Sequence, residues 1–359
     1  MTDLSKYLVR ILALAGLALI SACSGHGPEG EGETAEHEGA EPTAQAGEVG
    51  SLHVYSSRNE QLIQPIFAAF TAETGVDVTY TTGDEGLLMQ KLKSEEEGTP
   101  ASLLLTVDAG NLWQAKQMGL LSPVDSPLLQ ERIPAHLRDP ENYWFGLSVR
   151  ARTLVYHPDK VSAEELSDYA DLAKPKWKGK LLLRTSKKVY NQSLVAMLIE
   201  EYGEQETEAI VRGWVDNLAA PEFSNDTKLM EALAAGVGAV GIVNTYYYGR
   251  LKKDNPDLPL KLFWAGQGGS GVHVNVSGAG VTSHAPNRQG AIQLMEWLAG
   301  DEAQAMFAGV NMEFPANPAV PSDPEVAGWG SFQPSTINLA KAGELQERAI
   351  KLMDRAGYK

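Results

Sequence analysis

Cysteine is almost absent from this sequence: Cys23 is the single one in 359 residues. That excludes an intrachain disulfide framework and any thiolate metal cluster. Basic charge is also short, with 30 Lys and Arg against 46 Asp and Glu and a formal net charge of −16. No basic surplus exists to neutralise phosphates, so nucleic acid is excluded as a partner. The apolar run Ile11–Ile20 covers only ten residues, too few to cross a bilayer core of about 30 Å as a helix. The chain lacks the GxSxG, HExxH or Ser/His/Asp spacing of a hydrolase and the His/Cys spacing of a zinc site, so it reads as a protein that is not an enzyme. What it does have is 43% hydrophobic residues, over a length that suits two domains of about 150 residues.

The apolar run explains the cysteine. Lys6 and Arg10 precede it, and Ile20-Ser21-Ala22-Cys23 closes it. A basic start, a short apolar stretch and small residues describe a secretory signal, here residues 1–22. The closing four residues resemble the lipobox of bacterial lipoproteins, which implies that Cys23 receives lipid and becomes the new N-terminus. The expected location is the periplasmic side of a bacterial membrane. Ser24 in place of an Asp leaves the choice of membrane open. From Cys23 to Gly50 the chain holds seven Glu, seven Gly and no Lys or Arg, a composition that cannot bury enough surface to fold and reads as a solvated acidic tether. The tether carries −7 and the signal +1, so residues 51–359 carry −16 − 1 + 7 = −10.

From Leu52 short β-rich runs alternate with helical ones. Apolar residues at 62, 63, 66, 67 and 70 give a helical period, and Ser102–Val107 and Val237–Val243 read as strands. Such alternation predicts a mostly parallel sheet covered on both faces. Leu147–Tyr156 is an extended segment long enough to cross between lobes, and Gly271–Val276 crosses back. Leu339–Ala356 reads as one terminal helix. The predicted fold class is α/β, a two-lobed periplasmic-binding-protein fold of class II type with hinge crossing strands. One lobe takes 51–150 plus about 276–320; the other takes 151–275 plus about 321–359.

Ligands of open α/β sheets bind beyond the carboxyl ends of strands, where helix N-termini point. Three strand-to-helix junctions therefore stand out. In Tyr55-Ser-Ser-Arg-Asn-Glu-Gln61, the serines and Arg58 suit an oxyanion; the alternative is a helix cap by Ser57 or Asn59 with Arg58 on the surface. The second junction runs from Arg184 to Gln192 and contains Tyr190. The third is Asn244-Thr-Tyr-Tyr-Tyr-Gly-Arg250. Neighbours on a helix lie about 100° apart, so two of these tyrosines can straddle a cleft while the third packs away; plain aromatic packing is the alternative. A phenol, with an ordinary pKa of about 10, ionises at neutral pH only beside strong positive charge, which a metal supplies. Hard oxygen donors select hard cations, Fe(III) above the common divalent ions.

The segments LHVYSSRNEQLIQPIFAAFTAETGVDV, GLSVRARTLVY, RTSKKVYNQSLVA, GIVNTYYYGRL and EFPANPAV, in this order, resemble the periplasmic ferric-ion-binding proteins of ABC iron importers. The resemblance covers roughly 51–359. It implies a protein, expected to be a monomer, that captures Fe(3+) with a synergistic carbonate or bicarbonate and delivers it to the membrane permease. It places the metal ligands on Tyr190, Tyr246 and Tyr247 and an anion-binding role on Arg58. Many members read SSRHY at the first junction, where this chain has Asn59 and Glu60. Two options follow: Glu60 coordinates the metal, or Arg58 with Gln61 holds the anion. Asp108 lies one residue from the place of a Glu ligand in some relatives. Arg150 and Arg152, two apart on the crossing strand, share a side, in the cleft or in salt bridges between lobes. The rival readings are a binding protein for an organic anion, a phosphonate or a polyamine, and a tethered periplasmic hydrolase.

Overall fold

The computed structural model describes residues 50–359. The signal 1–22, the candidate lipidation site Cys23 and the tether up to residue 49 lie outside the described residues. Strand β1 (Leu52–Ser56) leads into helix α1 (Glu60–Thr74), β2 (Val78–Thr82) into α2 (Glu85–Glu95), and β3 (Leu103–Val107) into α3 (Ala109–Gln117). The first helix buries Ile63, Ile66, Phe67 and Phe70 on one stripe and ends at Gly75 with φ of 75°, a left-handed conformation that suits glycine. Helix α4 (Pro127–Arg132) precedes the long β4 (Phe145–Tyr156). Then come β5 (Leu181–Leu182), α5 (Val189–Tyr202), α6 (Glu204–Asp216), α7 (Asp226–Ala234), β6 (Val240–Asn244), α8 (Thr245–Asp254), β7 (Lys261–Phe263) and β8 (Val274–Val281). The chain closes with α9 (Arg288–Leu298), α10 (Asp301–Asn311), β9 (Phe314–Pro315), α11 (Pro324–Ala327), α12 (Ala340–Glu344) and α13 (Gln346–Ala356).

The α/β class is as expected; the pairing is not. The sheet runs β2-β1-β3-β8-β4-β6-β5, with β7 and β9 also on β4. Only β1–β2, β1–β3 and β5–β6 pair in parallel, and every pairing of β4 and β8 is antiparallel. The reason is the crossing. Strand β4 pairs with β8 through Ala151 and then with β6 from Arg152 onward, while β8 returns in the opposite direction. Two long strands that cross and return must lie antiparallel between the two parallel flanks.

Separate cores form at the two ends of β4. One gathers Leu52, Phe70, Leu104, Trp144, Val274, Phe307, Leu339 and Ala342. The others gather Leu154, Trp177, Leu198, Trp214 and Leu352, and Val155, Leu229 and Tyr248. Val274, Leu339 and Ala342 thus join the first core, although the sequence expectation assigns their segments to the second lobe. The expected single terminal helix is two. Gly343 of α12 sits so close to Trp113 of α3 that a Cβ there would meet its Cβ at 2.5 Å, whereas Ala349, Leu352 and Met353 of α13 enter the second core. The chain bends at Leu345 to serve both.

Candidate metal centre

The carboxyl ends of β1, β2, β3 and β6 open on one cleft of about 300 Å³. Arg58 and Asn59 reach it from the β1–α1 junction, Gly83, Asp84 and Glu85 from β2–α2, Arg150 from β4, Lys188 and Tyr190 from the start of α5, Tyr246, Tyr247 and Arg250 from α8, and Asn311 and Glu313 from the end of α10. The three predicted tyrosines therefore converge from two helix starts. Tyr246 and Tyr247 place their ring centroids 4.3 Å apart at 33°. Tyr248 turns away; its hydroxyl donates to the Leu260 carbonyl at 3.2 Å and its ring meets Trp329 edge-on.

Three guanidiniums lie against these phenols, and a fourth, Arg58, lines the same cleft. Arg150 lies 5.4 Å from the Tyr190 ring centre, Arg184 5.2 Å from Tyr190 and 5.8 Å from Tyr247, and Arg250 5.1 Å from Tyr246. Arg58 is buried against Phe307. Its Nη1 donates to Ser148 Oγ at 3.2 Å and to Glu313 Oε2 at 3.1 Å. Arg58 Nε and Nη2 and Arg150 Nε are buried and have no hydrogen-bond partner among the described residues, so donors beside the cleft remain unsatisfied.

Burial pushes the Tyr246 hydroxyl far above the ordinary phenol range, and the neighbouring phenols Tyr190 and Tyr247 push it further while Arg150 opposes. Tyr190 also moves up, by burial partly offset by Arg150. Both are therefore neutral phenols at neutral pH in this arrangement. Glu313 behaves in the opposite way. Burial raises its carboxyl, but Arg58, Arg150 and the Ser148 hydroxyl outweigh burial and hold it below the usual carboxylate range. Among the described residues no three His, Cys, Asp or Glu side chains come together as a metal site; the cleft's ionisable oxygen donors are the phenols of Tyr190, Tyr246 and Tyr247 together with the carboxylates of Asp84, Glu85 and Glu313.

Two expected first-lobe contributors do not join the cleft lining. Glu60 is exposed on the first turn of α1 and accepts a hydrogen bond from the Tyr80 hydroxyl at 3.1 Å. Gln61 is exposed beside it. The helix begins at Glu60, so the chain has turned out of the junction before either side chain emerges. Asp108 is fully buried and committed elsewhere. It caps α3 through Gly110 N–H at 2.9 Å and accepts from Ser193 Oγ at 2.8 Å and Asn275 Nδ2 at 2.8 Å; burial, opposed by Arg150, raises its carboxyl. Conversely, Glu313, Asn311, Arg184 and Arg250 stand at the site with no individual role foreseen. Glu313 and Arg250 lie inside the segments EFPANPAV and NTYYYGR, but nothing local in those segments directs either side chain to the cleft.

A family model described as bacterial extracellular solute-binding protein matches residues 66–334. The chain is 42% identical over 319 residues to Iron uptake protein A1 of Synechocystis sp., covering 87% of this chain and 89% of that protein. Among solved structures it is similar to the Trichodesmium protein IdiA (FutA) in complex with iron and citrate ligands, with 43% identity, a TM-score of 0.83 and coverage of 86% of this chain and 100% of that one. It is also similar to Mannheimia haemolytica ferric iron-binding protein A in an open conformation, with 36% identity, a TM-score of 0.81 and coverage of 86% and 99%.

Proposed function

The chain belongs to the family of bacterial extracellular solute-binding proteins, and from that premise we propose that it captures ferric iron in the cleft and delivers it to an ABC importer. The observation that carries this reading is the convergence of Tyr190, Tyr246 and Tyr247 on one cleft that also holds Arg58. Three phenolates balance the charge of Fe(III), and hard oxygen suits it. The iron names of the similar proteins support the same cargo.

Tyr190, Tyr246 and Tyr247 coordinate as phenolates, each giving up its proton as iron binds. Arg58, with Nε and Nη2 free, holds a synergistic carbonate or bicarbonate beside the metal. The lobes at the two ends of β4 and β8 close about the crossing strands by a hinge motion, which brings the Arg58 side over the tyrosines. Protonation or the permease prying the lobes apart reverses the sequence. The protein binds and releases without a chemical step and acts as a monomer held by lipid on Cys23 at the periplasmic side of the membrane.

The purified protein mixed with chelated Fe(III) should develop a visible phenolate-to-iron charge-transfer band, deepened by bicarbonate. Tyr246→Phe and Tyr247→Phe should each weaken and shift it. A colourless mixture, or a band indifferent to both substitutions, would sink the reading; tight binding of an organic anion, phosphonate or polyamine without iron would replace it.

A further inference from the structure

Beneath the tyrosines lies a buried polar hub that the ligand assignment leaves unused. Its centre is Arg152, 2% exposed, at the residue where β4 leaves β8 and joins β6. Its Nε and Nη2 donate to Asn191 Oδ1 at 3.0 and 2.6 Å. Its Nη1 donates to Asp226 Oδ2 at 3.1 Å and to Asn244 Oδ1 at 3.2 Å, and Nη2 also reaches the Ile242 carbonyl at 3.3 Å. Asp226 Oδ2 in turn accepts the Asn244 backbone N–H at 2.9 Å, and Asn191 Nδ2 donates to the carbonyls of Arg184 and Thr185, both at 2.9 Å.

These partners flank the candidate ligands. Asn191 follows Tyr190 directly, and Asn244 stands two residues before Tyr246. Asn244 also occupies the N-cap position of α8, where an Asn side chain ordinarily accepts from its own helix. Here it makes no such bond among the described residues; its oxygen goes to Arg152 instead, and its buried Nδ2 has no partner. The helix start thus forgoes its local cap for a bond that ties it to the other tyrosine-bearing junction. A planar guanidinium with its donors in a fixed fork holds two such partners at one spacing, which a flexible ammonium does not.

We propose that Arg152 is a positioning residue for iron capture, locking the starts of α5 and α8 at one separation so that the phenols of Tyr190, Tyr246 and Tyr247 are pre-set before the metal arrives. This rests on the reading of those three tyrosines as the iron ligands. Fixing ligand atoms in advance removes an ordering cost from binding.

The deciding variant is Asn244→Ser. Serine caps a helix as well as asparagine but is too short to keep the Arg152 bond. In the purified protein, the metal-free urea midpoint should stay at or above the wild-type value. Iron retention against citrate competition should fall by about 10- to 100-fold, the usual effect of losing an outer-shell partner, and the charge-transfer band should shift. Arg152→Lys should lose retention in the same way if it folds; if it does not, Asn244→Ser decides alone. A folded Asn244→Ser protein with wild-type retention and an unmoved band would overturn the proposal while leaving the iron reading intact. A wild-type protein with no band would instead overturn the iron reading, and this inference with it.

Discussion

Replacing Glu313 with Gln removes one charge from the most enclosed ion pair of the cleft. The Glu313 side chain is 2% exposed; its oxygens lie 3.1 Å from Arg58 Nη1 and 4.0 Å from Arg150 Nη1, and it also bonds Ser148 and Asn311. Glutamine keeps the volume and one acceptor but leaves two buried guanidiniums without their carboxylate. Breaking a buried pair in this way costs about 3–5 kcal/mol, and the retained acceptor places this case near about 3. With a urea m-value of about 3 kcal/mol/M for a chain of this size, the midpoint should fall by about 1 M. Because Arg58 is then unpaired, bicarbonate or citrate should stabilise Glu313→Gln more than wild type, by about 1.4 kcal/mol at saturating anion for each tenfold by which the variant binds the anion more tightly. The pH dependence has a fixed sign. The folded carboxyl titrates below its ordinary value of 4.5, so its contribution is fully present above that value and is lost as pH falls through the lower, folded one. The gap between wild type and variant should therefore close only in acid. Urea titrations at neutral pH, with and without anion, decide the matter; an unchanged midpoint, or equal stabilisation of both proteins by the anion, refutes the assignment of Glu313 as counter-ion to Arg58.

Other outcomes follow from the same geometry. Glu60→Ala should leave the iron charge-transfer band and iron retention unchanged, since its carboxylate faces solvent beside Tyr80; a lost band would return Glu60 to the ligand set. Gly249→Ala places a Cβ 2.5 Å from Met312 Sδ and 2.6 Å from the Trp329 ring. The overpacking cost of about 1–3 kcal/mol should exceed the roughly 1 kcal/mol gained in helix propensity, and thermal unfolding should register a lower midpoint. The proposed lipid anchor rests on the lipobox resemblance and not on the geometry: if it holds, Cys23→Ser should move the protein from the membrane fraction to the soluble periplasmic fraction in cell fractionation, and a wild-type protein already in the soluble fraction would remove the anchor.

Much of the site is written locally. A strand followed by a helix brings Arg58, Tyr190, Tyr246 and Tyr247 to helix starts, and a helical step of about 100° per residue separates Tyr246 and Tyr247 from Tyr248. These are short-range matters of period and capping, and they are legible in the residues themselves. The partners of those side chains are not. Glu313 meets Arg58 across 255 positions, and Arg152 joins Asn191 to Asn244 only because β4 changes partners at that residue. Glu60, adjacent to the cleft in sequence, leaves it because α1 begins there and turns it outward. Sequence by itself determined which junctions carry the phenols and Arg58 to the cleft, because backbone period and helix termini act over a few residues. Tertiary structure alone decided which carboxylate and which arginines surround them, because a buried charge takes whatever partner the antiparallel crossing of β4 and β8 brings within hydrogen-bond reach.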